Sequence, residues 1–290
     1  MKSFFFLLMP LILSACVDRI DLGSKANPIK IALVPGKDIK VLEDRGNQMK
    51  EWFEAHSRLH FSILVPQSYI AVIETLGSKR SDVAFLNTFG SLQAEEKHAA
   101  RLTFILTNRG KSTYKGIVIV HKNSKAKSLK DLNGKTIAYV DPLSSSGHLM
   151  LAYELKKAGI KPRQTMFAGR HDSVVTAVYS RKVDAGATFY TEPKNSEPRD
   201  GRTLVKTQFP DVFDKVRILT YTSDLPNEGV VFRGDLPAEI SSEIERLFLE
   251  WQGTPTGKET LEGMYGVDGL RRVEREDYDL AREVSKNFLL

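Results

Sequence analysis

The sequence predicts an α/β fold of two similar lobes, each a mixed, mostly parallel sheet flanked by helices, with hinge strands between them. Three observations carry this. From Ile29 onward, short β-branched runs alternate with windows of helical period, the pattern of strand–helix units. The alternation breaks at a basic, turn-rich stretch between Lys122 and Lys135 and then starts again. Finally, Tyr69 to Phe85 matches His171 to Ala187 without gaps: a helical window, a basic pair (Lys79-Arg80, Arg181-Lys182), an aspartate (Asp82, Asp184) and a strand. Two copies are too few for a solenoid, so the repeat argues for two lobes built alike.

Taken in order, Ile29 to Val34 is expected as a strand, and Leu42, Met49, Trp52 and Phe53 as one face of a helix reaching His56. A strand at Phe61 to Val65, a helix at Tyr69 to Lys79, a strand at Asp82 to Leu86, a helix at Thr88 to His98 and a strand at Leu102 to Leu106 complete the first series. Ile117 to Val120 leads into the basic loop and an Asn133-Gly134 turn. The second series opens with a strand at Thr136 to Val140, then a helix carrying Leu151, Leu155 and Ala158 and closed by Gly159. Arg217 to Tyr221 and on to Phe232 reads as a return path. The tail is helical from Pro237, with Ile240, Ile244, Leu247, Phe248 and Trp251 on one stripe, and again from Glu274 to Leu289. The expected organisation is a first lobe from residues 28–116 and 220–290 and a second from 122–216.

The start of the chain is set apart from this fold. Lys2 precedes an apolar run from Phe4 to Leu13, too short to span a bilayer permanently, so residues 1–15 are expected to be a cleaved signal. The run ends in Leu13-Ser14-Ala15-Cys16, which resembles a bacterial lipobox; Cys16 would carry the lipid, and residues 16–27 would be a linker. Cys16 is the sole cysteine, so no internal disulfide forms and a thiol nucleophile is excluded if it is lipidated. Forty-two basic against thirty-six acidic residues give +6, which suits an anionic ligand or an anionic membrane surface. Nucleic acid is not expected as a partner, because Lys122, Lys125, Lys127 and Lys130 lack interleaved aromatics. His56, His60, His98 and His121 have no metal-ligand spacing and are expected on the surface; no metal and no cofactor is expected.

The chemistry concentrates in Ser144-Ser145-Ser146-Gly147, between a strand and a helix. Free backbone amides of a first helical turn and three hydroxyls meet there, and Gly147 allows close approach of the backbone, which together make an oxyanion site. A capping role alone would use one serine. Each charge-assisted hydrogen bond contributes roughly 1.5–3 kcal/mol, so four to six of them reach the roughly −8 kcal/mol of micromolar binding after the entropic cost, without a lysine.

The run Tyr139-Val140-Asp141-Pro142-Leu143-Ser144-Ser145-Ser146-Gly147-His148 resembles the ligand loop of the phosphonate, phosphite and phosphate binding proteins of ABC importers, the PhnD-like family. Tyr69-Ile70-Ala71-Val72-Ile73-Glu74, Asp82-Val83-Ala84-Phe85, Tyr114-Lys115-Gly116-Ile117-Val118, Gly169 to Val175 and Val183 to Thr188 follow the family in order along nearly the whole chain. The resemblance implies a type II periplasmic binding fold, a small phosphorus oxyanion as ligand, an ABC permease as partner, a monomer, and an extracytoplasmic place on a bacterial membrane. It also implies that Ser144, Ser145 and Ser146 hold the phosphorus oxygens while Tyr69, Tyr114 and His171 reach in around the cleft. Gly147 and His148 complete the expected loop.

Two departures from the family stand out. Ser145 replaces a common Thr and keeps the hydroxyl. Leu86-Asn87-Thr88-Phe89-Gly90 replaces a Gly-Pro-containing segment, and Asn87 and Thr88 are expected to face the cleft as replacement donors. In relatives that take aminoalkyl phosphonates, carboxylates receive the amine; Glu192 and Asp224 are the candidates here. Catalysis is not expected, since no Gly-x-Ser-x-Gly elbow, metal-ligand cluster or dinucleotide fingerprint is present. Two other readings fit the same residues: a ligand sensor for a membrane signalling partner, and a binding protein for a different small solute on the same fold.

Overall fold

A computed structural model of the chain describes residues 21–35 and 38–288. The expected signal and Cys16 lie outside them. In chain order the first series is β1 (Ile29–Leu33), α1 (Ile39–Ala55), β2 (Phe61–Leu64), α2 (Tyr69–Gly77), β3 (Val83–Leu86), α3 (Thr88–His98) and β4 (Arg101–Thr107). β1 is buried on both faces and pairs in parallel with β2 and β3, as a continuous apolar run in such a sheet must. Asp38 caps α1 by accepting from the Lys40 and Val41 amides, and Asn87 caps α3 through the Gly90 amide.

The second series is β5 (Thr113–His121), β6 (Thr136–Tyr139), α4 (Met150–Lys157), β7 (Gln164–Phe167), α5 (His171–Tyr179), β8 (Ala185–Lys194), β9 (Glu197–Asp200), α6 (Val212–Lys215) and β10 (Val216–Pro226). The chain then returns through β11 (Gly229–Phe232), α7 (Ala238–Trp251), α8 (Pro255–Tyr265), β12 (Gly269–Arg272) and α9 (Asp279–Phe288). Two sheets result, ordered β12-β4-β11-β3-β1-β2 and β10-β5-β8-β6-β7, with β9 paired to β8. Each has a parallel centre, β2-β1-β3 or β7-β6-β8, extended by antiparallel strands. No helix among the described residues is long and apolar enough to cross a membrane.

One face of the first sheet packs an aromatic core in which the Phe53 and Phe248 rings meet edge-on at 5.0 Å and Trp251 is fully buried. The other face buries Ala32, Ile73 and Leu86 together with Leu149 and Met150 from the start of α4, so an apolar contact joins the two lobes. Behind the second sheet, Val174 and Val178 of α5 pack on Ile117 and Ile119 of β5.

Several elements differ from the sequence expectation. The helix after the serines opens with a π turn at Ser145–Leu149. The final helix begins at Asp279 and not at Glu274, because Asp277 accepts from the Glu274 amide and holds residues 275–278 in a tighter 3-10 turn. α8, with Pro255 in its first turn and a left-handed Gly266 at its end, and β12 are absent from the sequence reading. Residues 220–226 stay in β10, paired to β5 as far as Pro226 opposite Thr113. His121, expected on the surface, is buried: its Nδ1 accepts from the Asn123 amide.

Candidate functional site

Two strand-to-helix corners meet at the centre of the molecule. On the second lobe, β6 ends at Tyr139 and the chain turns through Asp141, which ties its own loop by accepting from the Leu143 amide at 2.8 Å. Ser144 then caps the following turn, its Oγ accepting from the Gly147 amide at 3.2 Å. A Cβ on Gly147 would stand 2.4 Å from Val140 Cγ2 and 2.7 Å from Ser144 Oγ, so only glycine permits this corner. The π turn widens the first helical turn, a distortion that recurs at functional sites. Ser144, Ser145 and Ser146 are each no more than 3% exposed, yet all three line one cavity of about 380 Å³.

On the first lobe, Asn87 ends β3 and donates through Nδ2 to the Leu143 carbonyl at 2.6 Å, across the two lobes. The Tyr69 hydroxyl, at the start of α2, approaches the Ser144 side chain. The Tyr114 hydroxyl, near the start of β5, approaches the side chains of Ser146 and Thr88. Burial pushes both phenols well above their usual range, the charges of Asp141 and Glu228 raise Tyr69 further, and Glu228 does the same for Tyr114. Both hydroxyls therefore stay protonated and able to donate. His171 opens α5; its Nδ1 lies 2.9 Å from Thr188 Oγ1 and its ring stands edge-on to Phe189. Burial lowers its pKa to about 4 against the opposing charge of Asp172, so the imidazole is neutral at pH 7 and carries a single N–H.

Of the residues singled out from sequence, Tyr69, Asn87, Tyr114, Ser144, Ser145, Ser146 and His171 line the cavity. Gly147 shapes the corner from behind. Thr88 stands one layer back, donating to the Pro226 carbonyl at 2.7 Å. His148 is not part of the wall: its Nδ1 lies 2.8 Å from the Pro142 carbonyl and its ring packs between Tyr139 and Phe167, so it braces the loop from outside. Glu192 and Asp224 lie in a separate cavity of about 350 Å³, bridged to Lys111 at 2.9 Å and Lys115 at 3.6 Å. They do not reach the serine corner; the carboxylates that line the first cavity are Glu197, Glu228 and Glu262.

Glu228 was missed, as were Arg199, Leu204, Phe213, Met264 and Tyr265, all on the cavity wall. The only local signal was the polar pair Asn227-Glu228 just before the apolar strand β11. Among the described residues no cluster of His, Cys, Asp or Glu could hold a metal ion. The corner gathers neutral donors, hydroxyls, amides and an imidazole N–H, a set able to receive an oxyanion, with charged side chains elsewhere on the wall.

Residues 31–278 match the family described as the phosphonate, periplasmic substrate-binding protein of ABC transporters. The probable ABC transporter phosphite binding protein PhnD1 of Prochlorococcus marinus is 26% identical over 175 residues, 56% of this chain and 59% of that protein. The phosphonates-binding periplasmic protein of Escherichia coli is 25% identical over 203 residues, 67% of this chain and 57% of that protein. The chain thus spans less than two thirds of the length of these relatives. The solved structure of Prochlorococcus marinus PhnD1 in complex with methylphosphonate superimposes with a TM-score of 0.74 at 20% identity, covering 89% of this chain and 97% of that one, a likeness of fold.

Proposed function

The chain belongs to the family of periplasmic substrate-binding proteins of phosphonate ABC transporters, and on that premise we propose that its cleft captures a small phosphorus oxyanion for import. The observation that carries the reading is the buried run Ser144-Ser145-Ser146 lining a cavity between lobes, with the Tyr69 and Tyr114 hydroxyls beside it on the same wall. In this role the serine hydroxyls, the amides of the π turn, both phenols and the His171 N–H donate to the phosphoryl oxygens. Asn87 contributes its amide through the Leu143 contact. The residues bind and release; none is assigned a catalytic step.

Capture proceeds by hinge closure, with one lobe from residues 28–116 and the return segment and the other from 122–216. The two crossings are tied together: the Asn227 amide donates to the Ser112 carbonyl at 2.8 Å and its Nδ2 to the Leu106 carbonyl at 2.9 Å. An anion held by both lobes favours the closed form by its differential affinity. Delivery to an ABC permease, a monomeric state and membrane attachment through a lipid on Cys16 complete the reading.

The test is a thermal-shift panel of phosphate, phosphite, methylphosphonate and 2-aminoethylphosphonate on protein freed of co-purified ligand. At least one phosphorus oxyanion is expected to raise Tm in a concentration-dependent way. No shift with any of them, against a shift with a sulfonate or an amino acid, would refute the reading.

A further inference from the structure

The cavity is larger than its oxyanion corner requires. At about 30 Å³ per water-sized group, a volume near 380 Å³ takes on the order of a dozen non-hydrogen atoms. A PO₃ head uses four of them. Away from the corner, Phe189, Leu204, Phe213, Met264 and Tyr265 help make most of the lining surface apolar, and the charged side chains of Glu197, Arg199, Lys206, Glu228 and Glu262 share that wall. Leu204 is 39% exposed and lines this cavity.

These side chains are held in place. Asp200 pins Arg202 through two bonds of 3.0 and 2.9 Å, and the Arg202 guanidinium in turn stands 4.8 Å from the centre of the Phe213 ring. Tyr265 stacks on Phe85 with centroids 5.6 Å apart. Arg199 of β9 then bridges to the first lobe, donating to Glu262 at 2.8 Å and to the Gly266 carbonyl at 2.6 Å, where α8 ends. It is 14% exposed in its side chain, so the bridge is shielded from solvent. The lobes are therefore joined beside this wall by Arg199, as well as at the serine corner and through Leu149 and Met150.

We propose that the apolar wall is a second subsite, for an organic arm, and that the preferred ligand is a phosphonate or phosphate monoester bearing roughly six or more carbons. Phosphite, phosphate and methylphosphonate fill the head subsite alone and leave the wall without a partner. Arg199 closes the lobes around the arm. This rests on the reading of Ser144–Ser146 as the head subsite.

Isothermal titration of the ligand-free protein with methylphosphonate, phenylphosphonate and phenyl phosphate decides it, the last two separating the phosphonate from the ester. Phenylphosphonate or phenyl phosphate is expected to bind at least tenfold more tightly than methylphosphonate, and Leu204→Trp, which fills the wall, should bring that ratio close to one. Phenyl compounds that bind no better than methylphosphonate overturn the second subsite and leave the oxyanion reading standing. A ratio that Leu204→Trp does not change overturns the assignment of the arm to this wall. If Leu204→Trp fails to fold, Phe213→Ala takes its place in the same comparison. Binding of none of the three compounds overturns the head subsite and the arm with it.

Discussion

In the first lobe α2 closes on Ser78 and a left-handed Lys79, and in the second α5 closes on Ser180 and a left-handed Arg181, both at φ 57°. Three residues on, Asp82 accepts from the Lys30 amide at 2.9 Å and Asp184 from the Thr136 amide at 2.8 Å, so each aspartate locks its strand to the parallel neighbour. The two units are one backbone plan used twice. Their helix starts differ. Ser68 caps α2 ahead of Tyr69, whereas α5 follows Arg170, whose guanidinium holds Asp172 at 3.1 Å and provides no cap. The scaffold repeats while the groups facing the cavity diverge, a phenol from one lobe and a neutral imidazole from the other. A repeated frame can thus carry an asymmetric site.

The aspartates offer the sharpest break in this symmetry. Asp82 is 2% exposed and also receives Arg233 at 2.9 Å, whereas Asp184 is exposed. Asp82→Ala should cost about 4 kcal/mol of stability, since it removes the buried acceptor of the Lys30 amide and of two Arg233 bonds and leaves Arg233 only the exposed Asp235, and Asp184→Ala about 1 kcal/mol, since water replaces its bonds. Urea melts of the two variants check this; equal losses would show that burial does not separate the units.

His171 has no titrating equal at Tyr69. Its folded pKa of about 4 lies below the unfolded value of about 6.5. Above pH 6.5 its contribution to stability is fully present. As pH falls from 6.5 to 4 the unfolded chain takes up the proton first, and stability on the order of 3 kcal/mol is lost. His171→Gln should flatten the stability–pH curve in that window relative to the parent; His121, whose pKa burial also lowers, stays in both proteins and cancels from the difference. Superimposable curves would place the imidazole in water.

At the shared corner, Ser144→Ala with Ser146→Ala should weaken phosphonate binding about a hundredfold, or 2.7 kcal/mol, measured by calorimetry. The smallest effect is expected at the helix ends. Lys79→Gly and Arg181→Gly relieve the same left-handed strain, and each should change stability by less than about 1 kcal/mol and by a similar amount. Unequal changes in thermal melts would mean that the two turns are not equivalent.

Much of this was legible in the sequence because it is local. The gapless match of Tyr69 to Phe85 with His171 to Ala187 follows from a repeated turn, and Ser144-Ser145-Ser146-Gly147 advertises its hydroxyls and amides within four residues. The far wall was not legible, because it is assembled from short pieces: β9, the 3-10 turn at Gly201–Val205, α6 and the end of α8. None has a long enough period to announce itself. Glu192 and Asp224 had suitable chemistry, yet Lys111 and Lys115 hold them in another cavity. His148 follows the serines in sequence, but the π turn carries its ring out toward Phe167. Adjacency along the chain fixes a backbone turn and not the direction of the next side chain.

The central claim is that the serine corner holds the phosphorus group. Methylarsonate, the arsenic counterpart of methylphosphonate, tests it directly through anomalous diffraction from a co-crystal. One arsenic peak is expected within hydrogen-bonding reach of the Ser144, Ser145 and Ser146 hydroxyls and the Tyr69 phenol. A peak confined to the cavity beside Lys111 and Lys115, with the serine corner free of arsenic, would contradict it.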